Sequence, residues 1–330
     1  MDPVLVEILR GGRVESAHHG AAVIADAKGS IVFGAGDIGR AVFPRSAVKA
    51  LLALPLIETG AAERLGLTDS EIALACSSHS GEEAHTAVAA SMLARAGRDQ
   101  TCLECGSHWP INEAAARRLA AQGAEPSALH NNCSGKHAGF ICLACDQRHD
   151  PAGYVQPDHP TMGLVTTALA EMTATTLDAT NRAIDGCSIP TYAIPLRALA
   201  QGFARFGSGE GLTADRAAAA RTIRAAVAAN PLMVAGTDRF DTRLMGALGG
   251  RVFTKTGAEG VYCVAIPELG LGIAVKCEDG AGRAAEVATA ALIARLLPDS
   301  AETLAPFIRP VLRNWVGTEI GAMGPAAAFA

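Results

Sequence analysis

Ser46-Ala47-Val48-Lys49 sets a hydroxyl and an amine three residues apart, a spacing at which one turn of helix brings both to one side. A serine hydroxyl is a poor nucleophile until a neighbouring base takes its proton. A lysine can be that base once burial or nearby positive charge has lowered its pKa. The S-x-x-K pattern therefore points to acyl transfer through a serine ester. Patterns of four residues also arise by chance, and these residues read as well as a helix N-cap followed by a surface lysine.

A second amine sharpens the reading. Lys255-Thr256-Gly257 falls in a strand-like stretch near the C-terminal end, where penicillin-recognising serine enzymes carry a K-T-G element beside the nucleophile helix. There Lys255 would bring a second cation and Gly257 would allow a close backbone approach, whereas taken alone Lys255 also fits an edge-strand lysine that discourages aggregation. Between these elements, Cys76-Ser77-Ser78-His79-Ser80-Gly81-Glu82-Glu83 forms a hydroxyl-rich turn. Ser80 is explained by a helix N-cap with two acidic residues in the first turn, and Ser78 is not.

A fourth element offers metal chemistry. In His130-Asn131-Asn132-Cys133-Ser134-Gly135-Lys136-His137, Asn132 is placed to cap a helix on which Cys133, Lys136 and His137 share one face. Asp185-Gly186-Cys187-Ser188-Ile189-Pro190 supplies another thiol at a turn. Cys133 and Cys187 read either as buried thiols or as zinc ligands. Chemistry alone favours His137 as the third ligand, because imidazole is neutral at pH 7 and a lysine must first lose its proton.

These side chains need a scaffold. Residues 4–9, 13–25 and 30–34 are β-prone stretches separated by turn signals, helical periodicity begins at Ser46, and further helices are expected at 82–95, 111–121, 133–145, 162–176, 196–206 and 214–229. Sheet returns at 251–264 and 271–277, and 283–297 reads as a closing amphipathic helix. The pattern predicts an α/β (α+β) fold: an antiparallel sheet from about 1–45 and 250–330, flanked by helices, with a large helical excursion over about 60–240 within one 1–330 domain. Residues 325–330 read as a frayed tail.

Composition narrows the partners. The net charge of −5 comes with scattered Lys and Arg, so no nucleic-acid footprint is visible; no apolar run reaches membrane-spanning length. The N-terminal residues enter a strand pattern without a secretory signal, so a cytoplasmic location is expected. Nine cysteines there read mostly as buried small hydrophobes.

The blocks Pro44–Lys49, Ser78–Glu82, Asn131–His137 and Asp185–Pro190, in that order, strongly resemble the rhizobial-type (class 3) L-asparaginases of the L-asparaginase II family. The resemblance implies a fold like that of serine β-lactamases and penicillin-binding proteins, a homodimer, and hydrolysis of L-asparagine. By motif, Ser46 would be the nucleophile with Lys49 as base, and Ser78 would pair with Lys255. Zinc (Zn²⁺) would be held by Cys133, Lys136 and Cys187, replacing His137 as the third ligand, and Arg45, Asp185 and His137 would serve substrate binding. The alternatives are another Ser-Lys amidohydrolase acting on glutamine, a peptide or a β-lactam, or a non-catalytic zinc protein built on Cys102-x-x-Cys105 and Cys142-x-x-Cys145.

Overall fold

Alternating apolar residues at the N-terminus lie in extended backbone, as their period of two requires. In the computed structural model, which describes residues 2–327 and 329, β1 (Val4–Arg10) turns through Gly11 and Gly12, both at positive φ, into β2 (Arg13–Asp26), and β3 (Ile31–Ala35) follows. The expected sheet stretch at 251–264 resolves into two strands, β4 (Phe253–Gly257) and β5 (Val261–Ile266), because Glu259 and Gly260 adopt positive φ and turn the chain. β6 (Leu271–Cys277) then pairs antiparallel with β5.

Two further strands, β7 (Val311–Arg313) and β8 (Glu319–Pro325), complete an eight-stranded sheet in the order β7-β8-β1-β2-β6-β5-β4, with β3 also on β2. The N- and C-terminal strands thus share one sheet. β2 changes neighbours along its length: its first half pairs with β1, and residues from Gly20 onward pair with β6. Its burial changes at the same place, from exposed at 13–17 to buried at 20–25.

The chain divides into two compact units, Met1–Ala47 with Ala193–Gly211 and Thr254–Ala330, and Val48–Tyr192 with Leu212–Phe253. In the first, every residue of β5 is buried, so both faces of that strand are covered. The Leu196–Ser208 helix lies against β6 at backbone distance: a Cβ on Gly272 would stand 2.0 Å from the Ala200 carbonyl oxygen. The expected frayed tail is only partly so. Phe329 is buried against Phe33, ring centroids 6.0 Å apart, while Ala328 and Ala330 lie outside the described residues.

The second unit is mostly helical. The stretches expected there are found as Glu83–Arg95, Glu113–Ala121, Ser134–Asp146, Pro160–Thr173 and Ala214–Ala229. Residues 134–144 are all buried, which makes that helix the centre of the unit. Gly135 and Gly139, one turn apart, open a seam on it: a Cβ at Gly135 would come within 2.4 Å of the Leu74 carbonyl oxygen. The Asp69–Ala75 helix therefore packs backbone to backbone on this seam, and its C-terminal end delivers Ser77 and Ser78 to the start of the central helix.

The Asp69–Ala75 helix begins with a Thr68/Glu71 capping box. The buried Glu71 carboxylate also accepts hydrogen bonds from the Ser91 hydroxyl and the Arg95 guanidinium, both at 2.8 Å. Burial pushes its pKa up, but the bonds from Thr68, Arg95 and Ser91 outweigh burial and hold it below the ordinary carboxylate value. A folded pKa below the unfolded one adds stability that is present above about pH 4.3 and is lost as pH falls through the folded value. Glu71→Gln is expected to cost about 2 kcal/mol at pH 7. In urea titrations the gap from the parent protein should narrow steadily below about pH 4; a gap independent of pH would contradict this account.

Candidate active site

Burying an amine costs free energy unless acceptors meet it, and Lys49, 1% exposed, is met on three sides. Its Nζ donates to the Ser77 carbonyl at 2.5 Å, to Ser78 Oγ at 3.0 Å and to Cys133 Sγ at 3.1 Å. The helix seam described above makes this possible, because it sets the 77–78 turn beside Cys133. Burial lowers the Lys49 pKa foremost and the nearby Lys136 adds to this, while the thiols of Cys133 and Cys187 act in the opposite direction. A lysine with a depressed pKa in contact with a serine hydroxyl is the arrangement a general base requires. The structure thus brings Lys49 to Ser78, a contact beyond the Ser46–Lys49 and Ser78–Lys255 pairings expected from sequence.

Ser46 lies in a 3₁₀ turn, Arg45–Val48, and the α-helix starts only at Lys49, with no side-chain cap. Ser46 is therefore not the N-cap of that helix. Arg45, immediately before it, holds φ at 51°, a left-handed conformation that is uncommon and strained for a non-glycine residue. In the same unit β4 runs beside this turn: a Cβ on Gly257 would stand 2.4 Å from the Pro44 carbonyl oxygen and 3.2 Å from the Ala47 nitrogen. The glycine of K-T-G is thus required by the backbone that carries Ser46. Lys255, fully buried on this strand, donates from Nζ to the Thr256 carbonyl oxygen at 2.9 Å.

In the helical unit, Cys133, Lys136 and Cys187 are each at most 5% exposed, and Lys136 Nζ donates to Cys187 Sγ at 2.9 Å. Cys187 is turned inward by a tight loop in which the Asp185 N–H donates to the Ile189 carbonyl and Ser188 adopts φ of 77°. A hydrogen bond joins the two thiols. A hydrogen bond from Cys187 leads in holding Cys133 well below its usual pKa, burial opposes it, and Lys49 and Lys136 assist; Cys187 correspondingly keeps its proton. Burial disfavours charge on Lys136, but Cys187, Cys133 and Asp185 outweigh it and raise its pKa.

Two sulfurs, one with a lowered pKa, and an amine converging in a buried site match the sulfur and nitrogen preference of Zn²⁺. Among the described residues no three His, Cys, Asp or Glu side chains gather as a metal site, so Lys136 is the nitrogen available to complete this set. A metal cation there would disfavour the Lys136 ammonium and release its proton. The Cys₄ alternative is not assembled: Cys105 Sγ donates to Ala128 O and Cys142 Sγ to Met92 O, from separate segments.

Several side chains that hold this cluster are not evident from sequence. Asn132 is the expected cap of the central helix, but Asn131 does the work: its Oδ1 accepts the Cys133 N–H and its Nδ2 reaches the Cys105 carbonyl. Ser80, expected as an N-cap, instead donates to the Ala235 carbonyl, and Glu82 caps the helix. His79 accepts the Gly81 N–H at Nδ1 and so donates from Nε2 to Ser134 Oγ, 2.9 Å away. His137 is fully buried, with Nδ1 2.5 Å from the Tyr154 hydroxyl. The Asn-Asn and Ser-His-Ser pairs signal polar networks; which member of each pair is used depends on tertiary contacts.

A family model described as L-asparaginase II matches residues 6–325 of the chain. Similar solved structures include a β-lactamase from Mycobacterium bovis, 13% identical, with 86% of this chain and 94% of that one covered at a TM-score of 0.42. Another is a protein described as Mglu in its Tris and glutamate form, 13% identical, covering 92% of this chain and 63% of that one, TM-score 0.36. Similarity of that degree assigns neither fold nor chemistry. No curated protein sequence matches.

A zinc-affinity measurement would separate the two cysteine groups. Cys133→Ser and Cys187→Ser are each expected to weaken Zn²⁺ binding more than about a hundredfold in competition with a chromogenic chelator, with Cys102→Ser and Cys145→Ser unchanged. The reverse pattern would favour the Cys₄ site.

Proposed function

The chain belongs to the L-asparaginase II family and is an amidohydrolase of that family; from that membership we propose that it is an L-asparaginase, hydrolysing the side-chain amide of L-asparagine to L-aspartate and ammonia. One observation carries the mechanism: a buried lysine of lowered pKa, Lys49, held against the Ser78 hydroxyl and the Cys133 sulfur.

In this reading Lys49 removes the Ser46 proton, and Ser46 Oγ attacks the side-chain amide carbon. As the tetrahedral intermediate collapses, the C–N bond breaks and the departing nitrogen takes a proton delivered through Lys49 and Ser78. Water then adds to the aspartyl ester, losing its proton to the same relay, and Ser46 leaves with a proton restored. Lys255 supports the positive potential on which the oxyanion depends, and backbone N–H groups at the Ser46 turn stabilise it. Arg45, Asp185 and His137 bind the amino acid. Zinc held by Cys133, Lys136 and Cys187 would supply a fixed positive charge that orients the substrate. A homodimer in the cytoplasm belongs to the same proposal, supported by the motif resemblance.

Ammonia release by purified protein tests the reaction. Activity on L-asparagine should fall by about a thousandfold or more in both Ser46→Ala and Lys49→Ala. Glutamine, one methylene longer, should be a poorer substrate by roughly ten- to two-hundredfold. No ammonia from either amide by the folded, zinc-replete protein would sink the proposal and turn attention to peptides and β-lactams.

Chelation tests the role of the metal. Zinc removal is expected to raise KM more than it lowers kcat, because the charge acts on bound substrate and its transition state alike. An equal loss of kcat at saturating asparagine would contradict a purely orienting role.

A further inference from the structure

His137 Nε2 is a buried polar atom that makes no hydrogen bond among the described residues, on a ring that is 0% exposed. Buried polar groups in native proteins are nearly always paired, so an orphan beside a ligand-binding cluster calls for a partner. What that partner is depends on whether Nε2 donates or accepts.

The other side of the ring decides this. Nδ1 lies 2.5 Å from the hydroxyl of Tyr154, which is itself 0% exposed. That hydroxyl oxygen accepts the backbone N–H of Glu104 at 3.0 Å, and Glu104 Oε1 accepts the Gly153 N–H at 2.7 Å, which ties the 104 and 153 segments together around the phenol. With one lone pair already used, the Tyr154 proton has Nδ1 as its acceptor. The opposite tautomer, Nδ1–H pointing at the phenol oxygen, would leave the hydroxyl proton buried without an acceptor. The network therefore places the imidazole proton on Nε2.

We propose that Tyr154 is a positioning residue that fixes His137 as the Nε2–H tautomer and so aims a buried N–H donor at a carboxylate oxygen of the bound amino acid. A donor nitrogen has no lone pair for a metal, so the same bond keeps His137 out of the zinc ligand set. An anionic acceptor suits the surroundings, since Lys136, a buried lysine, is the adjacent residue. The identity of the amino acid rests on the asparaginase reading; the tautomer does not.

The test uses zinc-replete Ser46→Ala protein labelled with ¹⁵N-histidine, with His137 assigned by the signal lost in His137→Gln. Long-range ¹H–¹⁵N spectra should show His137 protonated at Nε2 only, and L-asparagine or L-aspartate should shift that N–H. In Tyr154→Phe the ring should populate both tautomers, and with Ser46 restored KM should rise about tenfold with a smaller fall in kcat. His137→Gln, which keeps an N–H at similar reach, should retain more affinity than His137→Leu. A proton on Nδ1 in the parent, or an unchanged tautomer in Tyr154→Phe, would overturn the proposal even in a fully active asparaginase. An Nε2–H that shifts with another amino acid, in a protein inactive on asparagine, would support the positioning and sink the asparaginase reading.

Discussion

The chemistry depends on the burial of one amine. Lys49 has no access to water, so its Nζ must find acceptors inside the protein, and it finds the Ser77 carbonyl, Ser78 Oγ and Cys133 Sγ. Each contact answers a separate need. The carbonyl and hydroxyl satisfy the buried donor, and Cys133 raises the Lys49 pKa without cancelling the lowering by burial and Lys136. Lys136 shows the converse: two thiols and the Asp185 carboxylate outweigh the same burial and raise its pKa. Two lysines beside the same sulfur pair thus have their pKa values moved in opposite directions, Lys49 down and Lys136 up.

That arrangement is a product of close backbone packing. Gly135 lets the Asp69–Ala75 helix touch the central helix through main-chain atoms, Gly257 does the same for β4 and the Pro44–Ala47 turn, and Gly272 for β6 and the Leu196–Ser208 helix. Distances set by backbone contact vary less than those set by long side chains. Ser78 and Ser46 are each carried by a segment held in this way within its own unit, and Lys49, long and flexible, spans what remains between its helix and Ser78.

The elements that position the site are largely legible in the sequence because they are long and periodic. The helix 214–229 and the strands opening the chain follow from apolar spacing and turn residues alone. β7 and β8 are not legible, for a physical reason: one is three residues long and the other carries Gly321 and Gly324, so their pairing depends on the edge that β1 offers. Likewise the Ser46 motif can be read as residues but not as backbone; the 3₁₀ turn and the left-handed Arg45 are held by neighbours distant in sequence. Cys133 and Cys187 are legible as chemistry, Lys136 only through the family resemblance because chemistry alone favours His137, and the structure adds the Lys136–Cys187 contact. Tyr154 is invisible, since a tyrosine seventeen residues beyond His137 looks like any core aromatic until the 2.5 Å bond is seen.

The order of strands has a consequence for how the chain acquires its shape during synthesis. β1 sits between β2 and β8, so it has one edge that stays open until residues 319–325 have emerged from the ribosome. Through that interval an apolar N-terminal hairpin with an unpaired edge is a template for wrong pairing. The helical unit has no such wait for its Val48–Tyr192 portion, whose central packing, Leu74 with Gly135 among it, spans only about half that stretch. Nascent chains of this topology therefore expose a sheet edge for most of their translation, and a holding chaperone would find its target there.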